Sequence, residues 1–584
     1  MKKIIKSIML VAAVVAGMGA MTSCSDDDDS NPSRLFRPVV SEDDIVTGVD
    51  ENKIPYIKFS WDNYSGASQY VITLATEDGS ESYTQTVDTC MVKFTGLNYD
   101  TKYNVSVRSE NPATGLSSKD YTFTATSADY PTMLKSLATT DIIDVQARVQ
   151  WNNESGEANY DSLLVREASS GEDVVGYKLT DEEKAACSKI VSGLKPTTTY
   201  QVIAFADDKY LGKRTFKTAA SENYAGKVCD LRGLDAETAY KAFSVGTGSS
   251  YLNLIDSLVK ENPGEDIVVV LEGGVNYRMQ TMMLSSTDPI GKITFVTGLT
   301  LEGLANICVA GNFDVSADTH VASIAFDKIN FTDAPDENKP KTASNYGGTY
   351  LFNIAGKGAM IDEIKITNST IKYKRGVCRI KDNPSTIKNF IIDNCVVDSI
   401  AGYGIINADC DGSVVDNVKV TNSTFSNCEK TFVVNAGKNG NIINNLNVEN
   451  CTFVYCVADN KPFIEMKDRE FKTCKLKNCV IGRIMPLSKY RADKDPTADD
   501  KVVGITGYAG SFKPQCDEVY FTTDVIWAKN AETGEPKAPL DGTTVSTDTK
   551  GSFKNPLKGD FTITNKELKQ VGDPRWYESY MYYQ

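Results

Sequence analysis

The chain has 584 residues, of which 41% are hydrophobic, enough for several cores and too long for one ordinary domain. With 77 Asp and Glu against 62 Lys and Arg, its formal charge of −15 argues against nucleic acid or an anionic membrane surface as a partner. The 14 cysteines and the single histidine, His320, show no CxxC or Cys/His spacing for a metal.

At the amino terminus Lys2, Lys3 and Lys6 precede the apolar run IMLVAAVVAGMGAM. That run is too short to span a bilayer and ends in small residues before Cys24, the pattern of a secretory signal peptide over 1–24. The segment MTSC (21–24) resembles a lipobox of the loose kind found in Bacteroidetes lipoproteins. The resemblance implies lipidation of Cys24 and attachment to outer-membrane lipid. SDDDD (25–29), in an acidic linker over 25–37, resembles the signal that carries such lipoproteins to the cell surface. The alternative is plain secretion with an acidic linker. No other segment is apolar for long enough to span a membrane.

Residues 38–126 read as a β-sandwich. Trp61 precedes YVITL (70–74), and FTGLNYDTKYNVSVRSEN (94–111) places Leu97 and Tyr103 at the spacing of a tyrosine corner. Residues 132–219 repeat the plan with Trp151, LLVREA (163–168) and SGLKPTTTYQVIAF (192–205). Both resemble fibronectin type III domains, a likeness that speaks for fold and is silent on function. A connector over 220–247 follows. SYLNLIDSLVKENPG (250–264) then predicts an amphipathic helix with Leu252, Ile255, Leu258 and Val259 on one face.

The centre of the chain is repetitive. IKITNSTI (364–371), FIIDNCVV (390–397), VKVTNSTF (418–425), LNVENCTF (446–453) and CKLKNCVI (474–481) share one pattern. Their asparagines, Asn368, Asn394, Asn422, Asn450 and Asn478, are spaced by 26, 28, 28 and 28 residues. A second series keeps the same clock: LFNIAG (351–356), VCRIKD (377–382), IINAD (405–409), FVVNAG (432–437) and FIEMKD (463–468). Such a period means stacked units that bury their apolar faces only against neighbours. Period-two alternation and β-branched residues select strands, and the unit is too short to add a long helix. The asparagines then form an internal ladder at a buried bend, each amide donating to the next coil. Cys395, Cys451 and Cys479 occupy the slot filled elsewhere by Ser369 and Ser423, where a small buried side chain is required. Cys395 and Cys451 would lie two coils apart, beyond disulfide reach. Cys451 and Cys479 would be close enough, with free thiols the expectation.

These repeats resemble the pectate-lyase-like right-handed parallel β-helices, whose second turn carries an asparagine ladder. The likeness covers about 250–530 and makes the predicted helix at its start a cap on the first coil. It implies an all-β chain of two fibronectin type III-like sandwiches followed by a right-handed parallel β-helix. Residues 333–348 and 483–500 read as loops inserted between coils, and 531–584 as a closing segment. The ending GDPRW (572–576) resembles that of uncharacterised Bacteroidetes surface lipoproteins associated with glycan utilisation.

Placing Phe352, Cys378, Ile406, Val434 and Ile464 inside puts Asn353, Arg379, Asn407, Asn435 and Glu465 on the outer face of the first sheet. Ala355, Lys381, Asp409, Gly437 and Lys467 form a second outer column. The resemblance implies a substrate groove along this sheet. There Arg379 or Lys381 would act as the base beside a uronate carboxylate, while Asp409, Asp411 and Glu465 would help to hold calcium. Asn353, Asn407, Asn435 and Lys467 would contact sugar. Tyr373, Tyr403 and Tyr455, about one per coil, would wall the groove and stack on sugar faces. Arg379 facing Asp409 across adjacent coils reads equally as a plain ion pair, and no lyase, polygalacturonase or esterase motif matches residue by residue. The leading expectation is a surface lipoprotein that binds an extracellular, acidic polysaccharide. The alternatives are a cation-assisted polysaccharide lyase and a non-catalytic partner in a glycan-uptake complex.

Overall fold

A computed structural model describes residues 33–153, 158–243, 254–333, 349–433, 442–467, 472–485 and 504–577. Cys24 with its lipobox, Asn435, Gly437, most of the two inserted loops and the side chain of Lys467 lie outside what is described. Among the described residues no helix is long and apolar enough to cross a membrane.

The first sandwich packs the sheet of strands Ile45–Val49, Pro55–Ser60 and Met91–Thr95 against a second sheet built on Gln69–Thr76 and Lys102–Asn111. Alternate residues of each strand, including Ile57, Phe59, Ile72, Leu74, Tyr103, Val105 and Val107, fill the core with Trp61. The Tyr103 hydroxyl accepts from the Asn98 backbone N–H at 3.0 Å, which is the tyrosine corner. The second sandwich has sheets of two and four strands, and Tyr200 accepts from the Lys195 N–H at 2.8 Å in the same way.

The solenoid starts earlier than its repeats announce. Lys227–Asp230 already pairs in parallel with Ile267–Leu271, inside the stretch expected to be a connector. Asp235 then caps a short helix, Ala236–Lys241, through bonds to the N–H groups of Glu237 and Thr238. Phe243, just beyond it, packs in the first coils with its ring 5.8 Å from those of Tyr277 and Phe295. The predicted cap helix runs over Leu254–Glu261 and buries Ile255 and Val259.

Each coil then runs through three strands, as Tyr350–Ile354, Met360–Thr367 and Thr370–Lys374 do, and every strand pairs in parallel with its equivalent in the next coil. Inward positions stack in files: Phe352, Cys378, Ile406, Phe432 and Ile464 in the first sheet, and Ile371, Val397, Phe425, Phe453 and Ile481 in the third. The rings of Phe425 and Phe453 stack at 4.9 Å, the coil spacing itself. Each such side chain contributes roughly 1.5–3 kcal/mol by leaving water.

The bend between second and third strands explains the repeated Asn. Asn368, Asn394, Asn422, Asn450 and Asn478 all have φ between 49° and 53°. In that left-handed region Asn is tolerated where most residues cost 1–2 kcal/mol, roughly. The ladder exists, with Asn394 donating to Asn368 at 2.7 Å, Asn450 to Asn422 at 2.9 Å and Asn478 to Asn450 at 2.9 Å. It is interrupted where Asn422 donates instead to Asp393 at 2.8 Å. It is also not internal: its amides lie outside the bend, exposed or half-buried. The buried file is the next residue, where the hydroxyls of Ser369 and Ser423 and the thiols of Cys395, Cys451 and Cys479 donate to the carbonyl two residues back. Only a small donor closes the turn from inside, which is why Ser and Cys alternate there. Every described cysteine is a free thiol, and burial pushes Cys395 up to about 12.

The closing segment adds one short parallel strand to the solenoid, Thr543–Thr544 beside Gln515–Phe521, and then leaves the coil path. Phe553–Asn555 and Asp560–Ile563 pair antiparallel, and with Val545, Leu568 and Val571 they cover Val454, Tyr455 and Val480 on the outer face of the third sheet. Residues 572–576 then run back across the coils. Gly572 (φ 82°) passes so close to Thr452 that a Cβ would stand 2.4 Å from its hydroxyl. Asp573 accepts from Thr424 at 2.7 Å, the Trp576 indole donates to Thr424 at 2.6 Å, and Arg575 donates to Asn394 at 2.6 Å.

Candidate functional site

The outer face of the first sheet carries the chemistry. Register aligns Asn353, Arg379, Asn407, Val433 and Glu465 in one column. Phe432 therefore fills the inward slot assigned to Val434, and Val433 takes the register position assigned to Asn435. A slip of two residues keeps the same alternation of faces, so the pattern alone did not reveal it. At the other end, the pairing of Phe313 with Phe352 sets Asp314 beside Asn353, where it accepts from the Val315 and Ala355 N–H groups at 2.8 and 2.9 Å. Burial pushes Asp314 up, and those two bonds oppose the shift.

At the corner where the third strand of one coil turns into the first of the next, two tyrosines meet. The rings of Tyr350 and Tyr403 lie 5.3 Å apart at 81°, an edge-to-face pair. Gly376, which pairs with Tyr350, makes room for them: a Cβ there would come within 2.9 Å of Tyr403 Cβ and 3.1 Å of Tyr350 Cδ1. Two guanidinium groups flank the rings. Arg379 lies 4.7 Å from the Tyr403 centroid and 5.3 Å from that of Tyr350, and Arg375 lies at 4.7 and 5.8 Å.

The two arginines differ in what they touch. Arg379 donates from Nε to Asp409 at 2.9 Å, again from Nη2 to the same oxygen, and from Nη1 to the Tyr350 hydroxyl at 3.0 Å. Burial opposes its charge, yet the bond to Asp409 and the nearby tyrosine and carboxylate oxygens hold it above its ordinary value. Tyr350 is pushed up to about 12 by burial, against the pull of both arginines. Among the described residues the Arg375 side chain donates only from Nη2 to the Tyr403 hydroxyl, at 3.2 Å. Its Nε is buried without a partner among the described residues, as are Thr349 Oγ1, Asn353 Oδ1 and Asn407 Oδ1, with Asn407 itself 4% exposed. Unmet buried polar atoms cost about 1–3 kcal/mol each, and four of them fall on this one face.

Of the other residues expected here, Lys381 is half-exposed and 3.4 Å from Asp382. Asp409 is committed to Arg379, Glu465 pairs with Lys430 at 3.0 Å, and Asp411 lies exposed in the turn after them. The column places Glu465 two coils beyond Asn407, so these carboxylates do not meet around one cation. Among the described residues no three His, Cys, Asp or Glu side chains converge as metal ligands. The tyrosines do not form one file either. Tyr373, Ser399, Asn427 and Tyr455 share a slot of the third sheet with φ between 52° and 59°, and Tyr455 is buried under the closing segment. Tyr403 lies in the next turn and reaches the first sheet. Tyr350 and Arg375 were not singled out by the sequence; the signal for them is a glycine, Gly376, between an Arg and a strand, aligned with a tyrosine one coil earlier.

Comparison with known proteins adds two family matches over parts of the chain and no chemistry. Residues 276–428 match the family described as Domain of unknown function (DUF4957), and residues 446–576 match Domain of unknown function (DUF5123). The second match ends at Trp576, the last residue of GDPRW. No curated protein matches the chain. Among solved structures, a two-domain fibronectin type III segment of chicken tenascin is 19% identical, covering 30% of this chain and 98% of that one with a TM-score of 0.17. The FN1–FN3 domains of chicken CNTN1 are 18% identical over 32% of this chain and 68% of that one, with a TM-score of 0.15. The sandwich assignment rests on the strand order and the two tyrosine corners described above.

Proposed function

We propose that the outer face of the first sheet binds an extracellular acidic polysaccharide, and that the protein is a lipid-anchored surface component of a glycan-utilisation system. The observation that carries this reading is the cluster of Tyr350, Tyr403, Arg375 and Arg379, two cations on two aromatic rings beside unpartnered amide oxygens. A sugar ring presents an apolar face for a tyrosine, hydroxyls for Asn353 and Asn407, and an anionic group for a guanidinium. Catalysis by β-elimination is less well supported. Arg379 is held protonated by Asp409, and a base must give up its proton first.

The test is glycan-array binding of the protein lacking residues 1–24, alongside Tyr403→Ala. Retention on acidic polymers, weakened about tenfold in the variant, supports the reading. Absence of binding to every glycan, or binding that Tyr403→Ala leaves unchanged, defeats it. Location is read separately: Cys24→Ala should abolish lipidation, and replacing Asp26 to Asp29 with Asn should leave a lipidated protein that protease no longer removes from intact cells.

A further inference from the structure

Two guanidinium groups in one cluster invite the assumption that they do the same work, and their contacts say otherwise. Arg379 has its Nε, Nη1 and Nη2 donors engaged by Asp409 and Tyr350, and its side chain is 12% exposed. Its charge is met by the Asp409 carboxylate and its donors are engaged on both sides. Arg375 forms no ion pair with any described carboxylate. Asp409 is bound to Arg379, and Glu429, which lies against Gly402 in the following coil, makes none with it. Arg375 is nonetheless half-buried, clamped by its own backbone N–H on the Thr349 carbonyl at 2.8 Å and by its ring contact with Tyr403. A guanidinium withdrawn from water with Nε unsatisfied is unusual, because the desolvation is ordinarily offset by an anion.

We infer that Arg375 is the receptor for a single oxyanion, a carboxylate or sulfate group, and that Arg379 is a positioning residue that holds Tyr350 and Tyr403 for it. The assignment rests on the polysaccharide reading only for the source of the anion. Nε and one Nη form the fork that matches two oxygens of such a group, while Tyr403 fixes the plane of the fork. Asn353 and Asn407 stand on the coils either side of Arg379, and their Oδ1 atoms have no partner among the described residues. Asp409 sets the division of labour. By neutralising one arginine it leaves a single positive charge for the ligand to meet.

The experiment uses the protein lacking residues 1–24 and inorganic sulfate as the first probe, compared with chloride at equal ionic strength. Sulfate should raise the unfolding midpoint of the wild type, and Arg375→Gln should remove that rise, measured from the variant's own midpoint in chloride. Should Arg375→Gln fold poorly, Arg375→Lys keeps the charge and loses the fork, and should show a clearly reduced rise. Exposed Lys419→Ala should behave as wild type. A wild type that sulfate does not stabilise beyond chloride, or an Arg375 variant that keeps the full rise, overturns the assignment. The second probe is an acidic polymer that binds, its carboxyl-reduced counterpart and a sulfated polymer. Preference for the acidic form by roughly tenfold, lost in Arg375→Gln, identifies the anion as a sugar carboxylate, and preference for the sulfated polymer lost in the same variant identifies an ester sulfate. A sulfate effect that depends on Arg375, with no glycan bound, sustains the oxyanion site and defeats the polysaccharide reading alone.

Discussion

The solenoid has two outer faces that were built differently. On the third sheet, the chain's own closing segment covers the coils and leaves their polar atoms matched: Thr424 with Asp573 and Trp576, Thr452 with the N–H of Asp573, Asn394 with Arg575. On the first sheet, aromatic rings and cations are gathered at one corner, and Arg375 Nε, Asn353 Oδ1 and Asn407 Oδ1 have no partner among the described residues. One face has its complement in the same chain; the other presents half a set of interactions. Matched polar atoms speak for stability, and a concentration of unmatched ones speaks for a ligand.

The comparison can be broken most strongly at the strap. Gly572→Val forces a branched side chain into a left-handed conformation and against Thr452 and Val480. It should cost about 3 kcal/mol, combining the backbone penalty with overpacking. Thermal unfolding and limited proteolysis near residue 570 would register the loss, and a wild-type midpoint would show that the segment is not a strap. Next in size, Asn422→Leu should cost about 2 kcal/mol through φ and the lost amide bonds, and Asn422→Gly distinctly less because glycine tolerates the bend. Lys419→Ala, exposed on the second sheet, should stay within about 0.5 kcal/mol. If Gly proves as damaging as Leu, the ladder bonds and not the backbone set the requirement for Asn.

A pH series sharpens the contrast with a smaller effect. Burial raises the Asp573 carboxyl above its ordinary value, against the opposing pull of Arg575 and Thr424. A raised folded-state pKa means stability that is fully present below the unfolded value near 3.9, roughly, and lost as pH rises through the folded one. The stability of the wild type relative to Asp573→Asn should therefore decline upward from about pH 4. A difference that grows over that interval would reverse the sign and place the carboxylate in a better environment than its burial suggests. On the first-sheet face no strap partner is at stake, so Tyr403→Ala should lower glycan affinity far more than it lowers the unfolding midpoint.

The repeat itself was legible because a stacked coil imposes its spacing on the chain. Residues at equivalent positions touch, so Asn at a left-handed bend, Ser or Cys behind it and β-branched residues along the strands recur in register. The tyrosine corners were legible for a similar reason, since Leu97 with Tyr103 and Leu194 with Tyr200 are local motifs. The early start of the solenoid was not, because Lys227–Asp230 is a strand only by virtue of a partner forty residues on, roughly, a distance periodicity cannot bridge. Nor was the site. Arg379 and Asp409 could be aligned by counting, but Tyr350, Gly376, Tyr403 and Arg375 come together at a corner between coils, where loop lengths vary and the count fails. The sequence by itself determined the coil, its bends and the polarity of its faces, since those follow from contacts that repeat. Which tyrosine met which arginine, and which face the closing segment sealed, only the tertiary structure decided, because those contacts occur once.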